Sequence, residues 1–173
     1  MKPLDPAQDR TALLERYAAM RALEASARPE LERVRPERSG WSPLQHLAHV
    51  TLANERVLAN LSALVAGSGL LIVRGGEPHP MARGLLAAGK LPRGEAQAPR
   101  MVRPPERVDR AMLAQWLAEG EAAVQALDPA RLVPGELKIP HQLLGPLDAP
   151  EWLRFARVHS EHHLAIVDEL LSA

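Results

Sequence analysis

The chain has 173 residues, and its 21 Lys and Arg equal its 21 Asp and Glu, so the formal net charge is zero. Because a neutral chain has no overall field that attracts nucleic acid or anionic lipid, we expect neither as a partner. It contains no cysteine, which excludes disulfides and thiolate ligands and leaves His, Asp and Glu to hold any metal.

The first predicted helix begins at Asp5, in the sequence DPAQ, and ends near Ala27. An acceptor side chain followed three residues later by Gln or Glu, with Pro in the first turn, is typical of a helix start. Leu13, Tyr17 and Met20 recur at intervals of three and four residues. This spacing predicts a helix with one buried apolar face.

The second predicted helix begins with the same signature at Ser42, in SPLQ, and ends near Ala66, before GSG. The following segment, 67–105, is rich in Gly and Pro and has room for a short helix around 81–88. A connection of this length can cross a helical bundle and permits parallel neighbours. Its length and composition also make it a candidate lid.

The third predicted helix follows Pro105 and ends before Pro129, with Trp116 on its apolar face, and the fourth begins at Asp148 in DAPE. Four amphipathic helices have a common packing solution, the four-helix bundle, so we predict an all-α fold. The long crossover lies between helices two and three. The chain length fits one domain, 1–173.

The sequence contains no segment that is typical of a membrane protein. Its longest apolar stretch, LLIV at 70–73, is far too short to cross a bilayer. The first ten residues, MKPLDPAQDR, lack the apolar segment of a secretion signal. We therefore expect a cytoplasmic protein that has no membrane partner.

Three of the seven histidines fall in a stretch of five residues, 159–163, inside the last predicted helix. At about 100° per residue, His159 and His163 fall on its apolar face, whereas His162 lies off the centre of that face and is expected at its rim. Two imidazoles on a buried face must be hydrogen-bonded, solvated in a cleft or coordinated, because an unsatisfied buried polar group costs about 1 to 3 kcal/mol. Coordination to a metal removes this cost best.

A third ligand has to come from another element, and the second helix offers His46 and His49. Helical periodicity alone mildly favours His46, which lies beside the apolar stripe, and leaves His49 as the alternative. His79 and His141 lie in the two long connections, where substrate contact is a hypothesis for both. Glu55, one to two turns after His49, is a candidate carboxylate near the metal.

The pattern of several of these residues resembles that of a known family. They have the order and spacing found in the DinB-like superfamily, the YfiT-like metal-dependent hydrolases. The residues that carry this resemblance are Trp41, Ser42, His49, His159, His163 and Leu164. The segment HQLLGPL at 141–147, which leads into EW, is similar to the HP-x-x-G-x-L segment of one branch of that superfamily, a domain of unknown function.

This resemblance implies a four-helix bundle with up-down-down-up order and a divalent metal held by three histidines. Carried over residue by residue, the ligands are His49, His159 and His163, which favours His49 over His46 on family grounds alone. Three imidazoles do not distinguish Zn, Ni and Fe, since all three metals accept this ligand. The resembled proteins also make a homodimer plausible.

The predicted function is that of a metal-dependent enzyme acting on a small molecule, as a hydrolase or as an S-transferase of a low-molecular-weight thiol. A divalent metal with an open position can activate a water or bind an external thiolate. Because Ser160 follows His159, the HExxH pattern of metalloproteases is missing. The alternative is a noncatalytic, stress-associated helical dimer whose metal site is structural or vestigial.

Overall fold

The computed structural model describes residues 4–26, 28–94 and 97–172. In these ranges the chain is mostly helical and carries a small three-stranded sheet. The helices are α1 (Pro6–Ala25), α2 (Pro43–Ala66), α3 (Pro80–Ala88), α4 (Arg110–Ala126) and α5 (Ala149–Leu171). In the part of the chain that the structure describes, no helix is both long enough and apolar enough to cross a membrane.

Local side-chain chemistry fixes the starts of three long helices, as predicted. Ser42 and Asp148 each form a capping box, in which their side chains accept the backbone N–H of Gln45 and Glu151. In return, the backbone N–H groups of Ser42 and Asp148 donate to the side chains of Gln45 and Glu151. Asp5 caps α1 by accepting two backbone N–H groups. The last described residue of α1 is Ala25, and the predicted end at Ala27 lies outside the described residues.

The connection between α2 and α4 has more structure than a simple loop. Gly67 ends α2 with a φ of 67°, a left-handed conformation that glycine adopts without steric cost. The predicted short helix is confirmed as α3, and a 3-10 turn, Arg100–Val102, follows it. α4 begins at Arg110, capped by Asp109, which is later than the predicted start directly after Pro104 and Pro105.

The all-α prediction did not include the sheet. Strands β1 (Val73–Arg74), β2 (Leu137–His141) and β3 (Gly145–Leu147) pair antiparallel in the order β1-β2-β3. They are too short for a clear alternating pattern, and prolines in β2 and β3 argue against strands when the sequence alone is read. The β2–β3 hairpin leads directly into α5.

The four long helices share one core. α5 packs against α1 and α2, and α4 packs against the same two helices. The buried side chains include Leu13, Tyr17, Leu61, Leu117 and Leu153, so all four helices contribute. The turn Arg100–Val102 contacts α2, and α3 contacts α5. Both parts of the long connection therefore lie against the helix pair that carries the histidines.

Candidate metal centre

Three histidines converge where α2 packs against α5. His49 on α2 and His159 and His163 on α5 each offer a nitrogen, and these three atoms lie within 4.8 Å of one another. The Nε2 atoms of His49 and His159 are 3.2 Å apart. Two nitrogens bound to one tetrahedral zinc at about 2.0 to 2.1 Å lie about 3.3 Å apart. The spacing therefore fits a shared metal ion.

The backbone of the long connection orients His49. Its Nδ1–H donates to the carbonyl oxygen of Val102, at 2.7 Å, and both groups are buried. A carbonyl oxygen can only accept a hydrogen bond, so the proton of the neutral ring is on Nδ1. The Nε2 atom, which faces His159, therefore carries the lone pair that a metal requires.

His163 contacts another histidine. Its Nδ1 lies 2.9 Å from Nδ1 of His46, and the opposite nitrogen of His46, Nε2, lies 2.9 Å from the hydroxyl oxygen of Ser39. That hydroxyl also accepts the backbone N–H of Trp41, at 3.1 Å. His46, the ligand that periodicity favoured, thus lies beside the group formed by His49, His159 and His163 and contacts one member of it.

His159 has a less complete set of partners. Its Nδ1 is buried and has no hydrogen-bond partner among the described residues. Phe155 stacks on the ring, with 5.3 Å between the ring centroids and 22° between the planes. An unsatisfied buried polar atom costs about 1 to 3 kcal/mol. The site therefore brings together polar atoms that the protein satisfies only in part.

The ligand candidates are uncharged near neutral pH, as metal ligands have to be. Burial is the main cause that lowers the pKa of His49, and the carbonyl of Val102 opposes it. Burial and then the neighbouring histidines lower the pKa of both His159 and His163. Burial also lowers the pKa of His46 to about 4. Protons therefore compete weakly with a metal for these nitrogens.

Trp41 covers the site from the residue before the helix cap. Its ring centroid lies 5.0 Å from that of His49, 5.4 Å from that of His46 and 6.5 Å from that of His163. The indole ring therefore packs against three imidazoles. In the sequence, only the family resemblance connects Trp41 with the site.

Two further residues were named from the sequence. His162 lies near the three histidines, and Glu55 lies elsewhere on α2. The ring centroid of His162 is 5.1 Å from that of His163, and its side chain is half-buried, as expected for a rim residue. Glu55 lines a groove between α2 and α4, together with Trp116 and Glu119. It is not a member of the three-histidine group.

The two histidines of the connections take part in local backbone structure. His79 caps α3, where its Nδ1 accepts the N–H of Met81. His141 ends β2, and its Nδ1 accepts the N–H groups of Leu143 and Leu144. Burial lowers the pKa of His141 to about 4. These contacts give both residues a structural role, and a substrate contact stays a hypothesis for each.

Two contacts of the site have no signal in the sequence that could have revealed them. Val102 contributes a backbone carbonyl, which every residue type carries. Ser39 precedes the helix and contributes through its contact with His46. In both cases the information lies in the packing of a loop against α2, which periodicity does not describe.

Comparison with known proteins gives one match. A family model described as the DinB superfamily matches residues 7–167, which include all three histidines of the candidate site. No curated protein and no solved structure matches the chain.

Proposed function

The chain belongs to the DinB superfamily, and from this premise we propose that it is a metal-dependent enzyme acting on a small molecule. The reaction is hydrolysis or S-transfer of a low-molecular-weight thiol. The observation that carries the proposal is the set of three neutral imidazoles, whose ligand nitrogens lie within 4.8 Å of one another. An all-histidine set with an open position is typical of catalytic rather than closed structural sites.

In this proposal His49, His159 and His163 hold the ion, which is Zn, Ni or Fe. Such an ion supplies a Lewis acid that acidifies a bound water or binds a thiolate. Val102 fixes the orientation of His49 through its carbonyl. The chain has no cysteine, so a thiol has to arrive as substrate. Trp41 and Phe155 line the histidines with apolar surface.

We also infer the up-down-down-up helix order. Arg10, near the start of α1, donates to the carbonyl of Val124, near the end of α4, which supports an antiparallel α1–α4 pair. Asp9 and Arg154 are both near the starts of their helices, which supports a parallel α1–α5 pair. The contacts between histidines run in opposite order along α2 and α5. Together these directions give up, down, down, up for α1, α2, α4 and α5.

Metal analysis tests the proposed site first. Protein purified without an affinity tag should contain nearly one divalent metal per chain, and His163→Ala should lose it. His79→Ala is the matched control, because this histidine lies in the connection and caps α3. A wild-type protein that binds no Zn, Ni or Fe would contradict the proposal.

Turnover tests the proposed chemistry. The metal-loaded protein is incubated with a panel of biological thiols and electrophiles, and separately with small esters and amides. Loss of the free thiol supports S-transfer, and release of acid or amine supports hydrolysis. Shortening the connection within 67–99 tests the lid, because an enzyme that needs a lid loses turnover while it still binds metal. Unchanged turnover would argue against the lid.

One observation favours the alternative function, a noncatalytic, stress-associated dimer. The three-histidine group contains no carboxylate, and Glu161 on the same helix is bound to Arg157 at 2.7 Å. In the described part of the chain we therefore find no carboxylate positioned as a general base at the ligands. Metal removal that lowers thermal stability without any detectable turnover, in a protein that sediments as a homodimer, would favour this account.

A further inference from the structure

His46 lies beside the three-histidine group and uses both of its ring nitrogens in hydrogen-bond contacts. Nδ1 meets Nδ1 of His163 at 2.9 Å, and Nε2 meets Oγ of Ser39 at 2.9 Å. Its side chain is buried, with 3% exposure. A residue held from both sides in this way has a single ring orientation.

The position of the proton on His163 decides whether that ring can bind a metal. Its Nδ1 is engaged by His46, so the nitrogen left for a metal is Nε2. A neutral imidazole carries its proton on one nitrogen and a lone pair on the other. Binding through Nε2 therefore requires the proton of His163 on Nδ1, with His46 as the acceptor.

The same reasoning fixes the proton of His46. If its Nδ1 accepts from His163, then its own proton is on Nε2 and is donated to Oγ of Ser39. This oxygen has two lone pairs, and the backbone N–H of Trp41 uses the other one, at 3.1 Å. The three groups thus form a chain of hydrogen bonds directed away from the metal.

We propose that His46 is a positioning residue, whose Nδ1 accepts the Nδ1–H of His163 and so presents the Nε2 lone pair of that ring to the metal. Ser39 holds His46 in turn. This contact orients the ring of His163, as the carbonyl of Val102 orients the ring of His49. Its value for metal binding rests on the proposed function, whereas the proton positions can be observed in the metal-free protein.

Two substitutions of His46 separate this role from that of a ligand. In His46→Asn the side-chain oxygen takes the place of Nδ1 and can still accept from His163, whereas His46→Leu keeps the volume but has no acceptor. Loss of a group that orients a metal-bound histidine lowers metal affinity about 10-fold to 100-fold. We expect that loss for Leu, and for Asn an affinity within about threefold of the wild type.

The measurements are cobalt(II) and zinc affinity by chelator competition, and the absorption spectrum of bound cobalt(II). The Leu variant should keep the cobalt coordination spectrum at saturating metal, because all three ligands remain. Ser39→Ala should weaken binding less than His46→Leu, since Ser39 acts through His46. Helical circular dichroism confirms that each variant is folded. Equal loss of metal in the Asn and Leu variants, or wild-type affinity in the Leu variant, would overturn the proposal.

Nitrogen-15 NMR of the metal-free wild type tests the proton positions without any metal. Long-range couplings between the ring nitrogens and the carbon-bound ring hydrogens distinguish the two tautomers. We expect the proton on Nδ1 of His163 and on Nε2 of His46. A His163 ring protonated on Nε2 would overturn the inference even if the protein binds metal. The expected tautomers in a wild type that binds no metal would instead contradict the proposed function alone.

Discussion

Helix α5 carries two polar clusters that face different helices. Toward α1, Arg154 and Arg157 each donate to the buried carboxylate of Asp9 at 2.8 Å; these three residues form the Asp9 cluster. Toward α2, His159 and His163 meet His49 and His46; these four form the histidine cluster. In the first, opposite charges are paired, and Glu161 supplies Arg157 with a second carboxylate. In the second, neutral rings share a small space.

The difference lies in which partner satisfies the buried polar atoms. In the Asp9 cluster the chain supplies both the charge and its counter-charge, so nothing from outside is needed. In the histidine cluster one nitrogen, Nδ1 of His159, has no hydrogen-bond partner among the described residues, and two Nε2 atoms face each other at 3.2 Å. We infer that the first cluster holds helices together and that the second is arranged for a cation.

Removing the centre of the Asp9 cluster should have the largest effect. Asp9→Asn takes away the counter-charge of the partly buried Arg154 and leaves Arg157 with Glu161 alone, so the free energy of unfolding should fall by about 3 kcal/mol. Urea unfolding measures this loss. Metal affinity under folding conditions should not change, because the cluster lies on the α1 side of α5. A loss of metal binding in the folded variant would break the comparison.

Removing a member of the histidine cluster should lower metal affinity strongly and change the metal-free stability little. His159→Leu should lower metal affinity about 100-fold or more, since a ligand is lost. Without metal, the free energy of unfolding should stay within about 1 kcal/mol of the wild type, because an unsatisfied buried nitrogen is lost together with one contact. Chelator competition and urea unfolding in the presence of a chelator measure the two quantities. A large loss of metal-free stability would indicate that this cluster is mainly structural.

A smaller effect is expected from a buried polar contact between α2 and α5. Asn54 on α2 donates to Oγ of Ser160 at 3.1 Å, and both residues are buried. Ser160→Ala removes the acceptor, so thermal unfolding should report a loss of about 1 kcal/mol. Ser172→Ala is the control, because that hydroxyl caps the exposed end of α5. Equal stability of the two variants would argue that the contact contributes nothing.

The smallest effect concerns His141, a histidine outside both clusters. Its folded pKa of about 4 lies below the ordinary 6.5, so the unfolded chain binds its proton first and stability rises with pH between these values. Lowering the pH from 7 to 6 should therefore cost about 0.7 kcal/mol through this residue. His141→Asn keeps an acceptor for the backbone N–H groups but does not titrate in this window. Its stability should depend less on pH than that of the wild type, and an identical pH dependence would contradict the assignment.

The helix starts could be predicted because their signals are local. Asp5, Ser42 and Asp148 cap backbone groups within three residues, so the sequence itself contains both partners. The β2–β3 hairpin could not be predicted in the same way. Its strands contain Pro140 and Pro146, and β2 depends on a distant contact, the indole N–H of Trp152 donating to the carbonyl of Ile139 at 3.1 Å.

The same difference between local signals and distant contacts applies to the site. The spacing of His159 and His163 places both on one helix face, so their proximity follows from helix geometry. Whether His46 or His49 joins them depends on how α2 is rotated and shifted against α5, which a helical wheel does not contain. Only the packed structure shows that His49 completes the group while His46 contacts His163.

The hydrogen bond from His49 to Val102 makes the crossover between α2 and α4 part of the surroundings of the candidate metal site, although it supplies none of the three histidines. A residue inserted or removed near that turn would displace one carbonyl and rotate one imidazole. Homologous chains whose crossovers differ in length should therefore prefer different metals, even where their three ligand histidines are identical. Exchanging crossovers between such chains is then a way to change metal preference without altering any ligand.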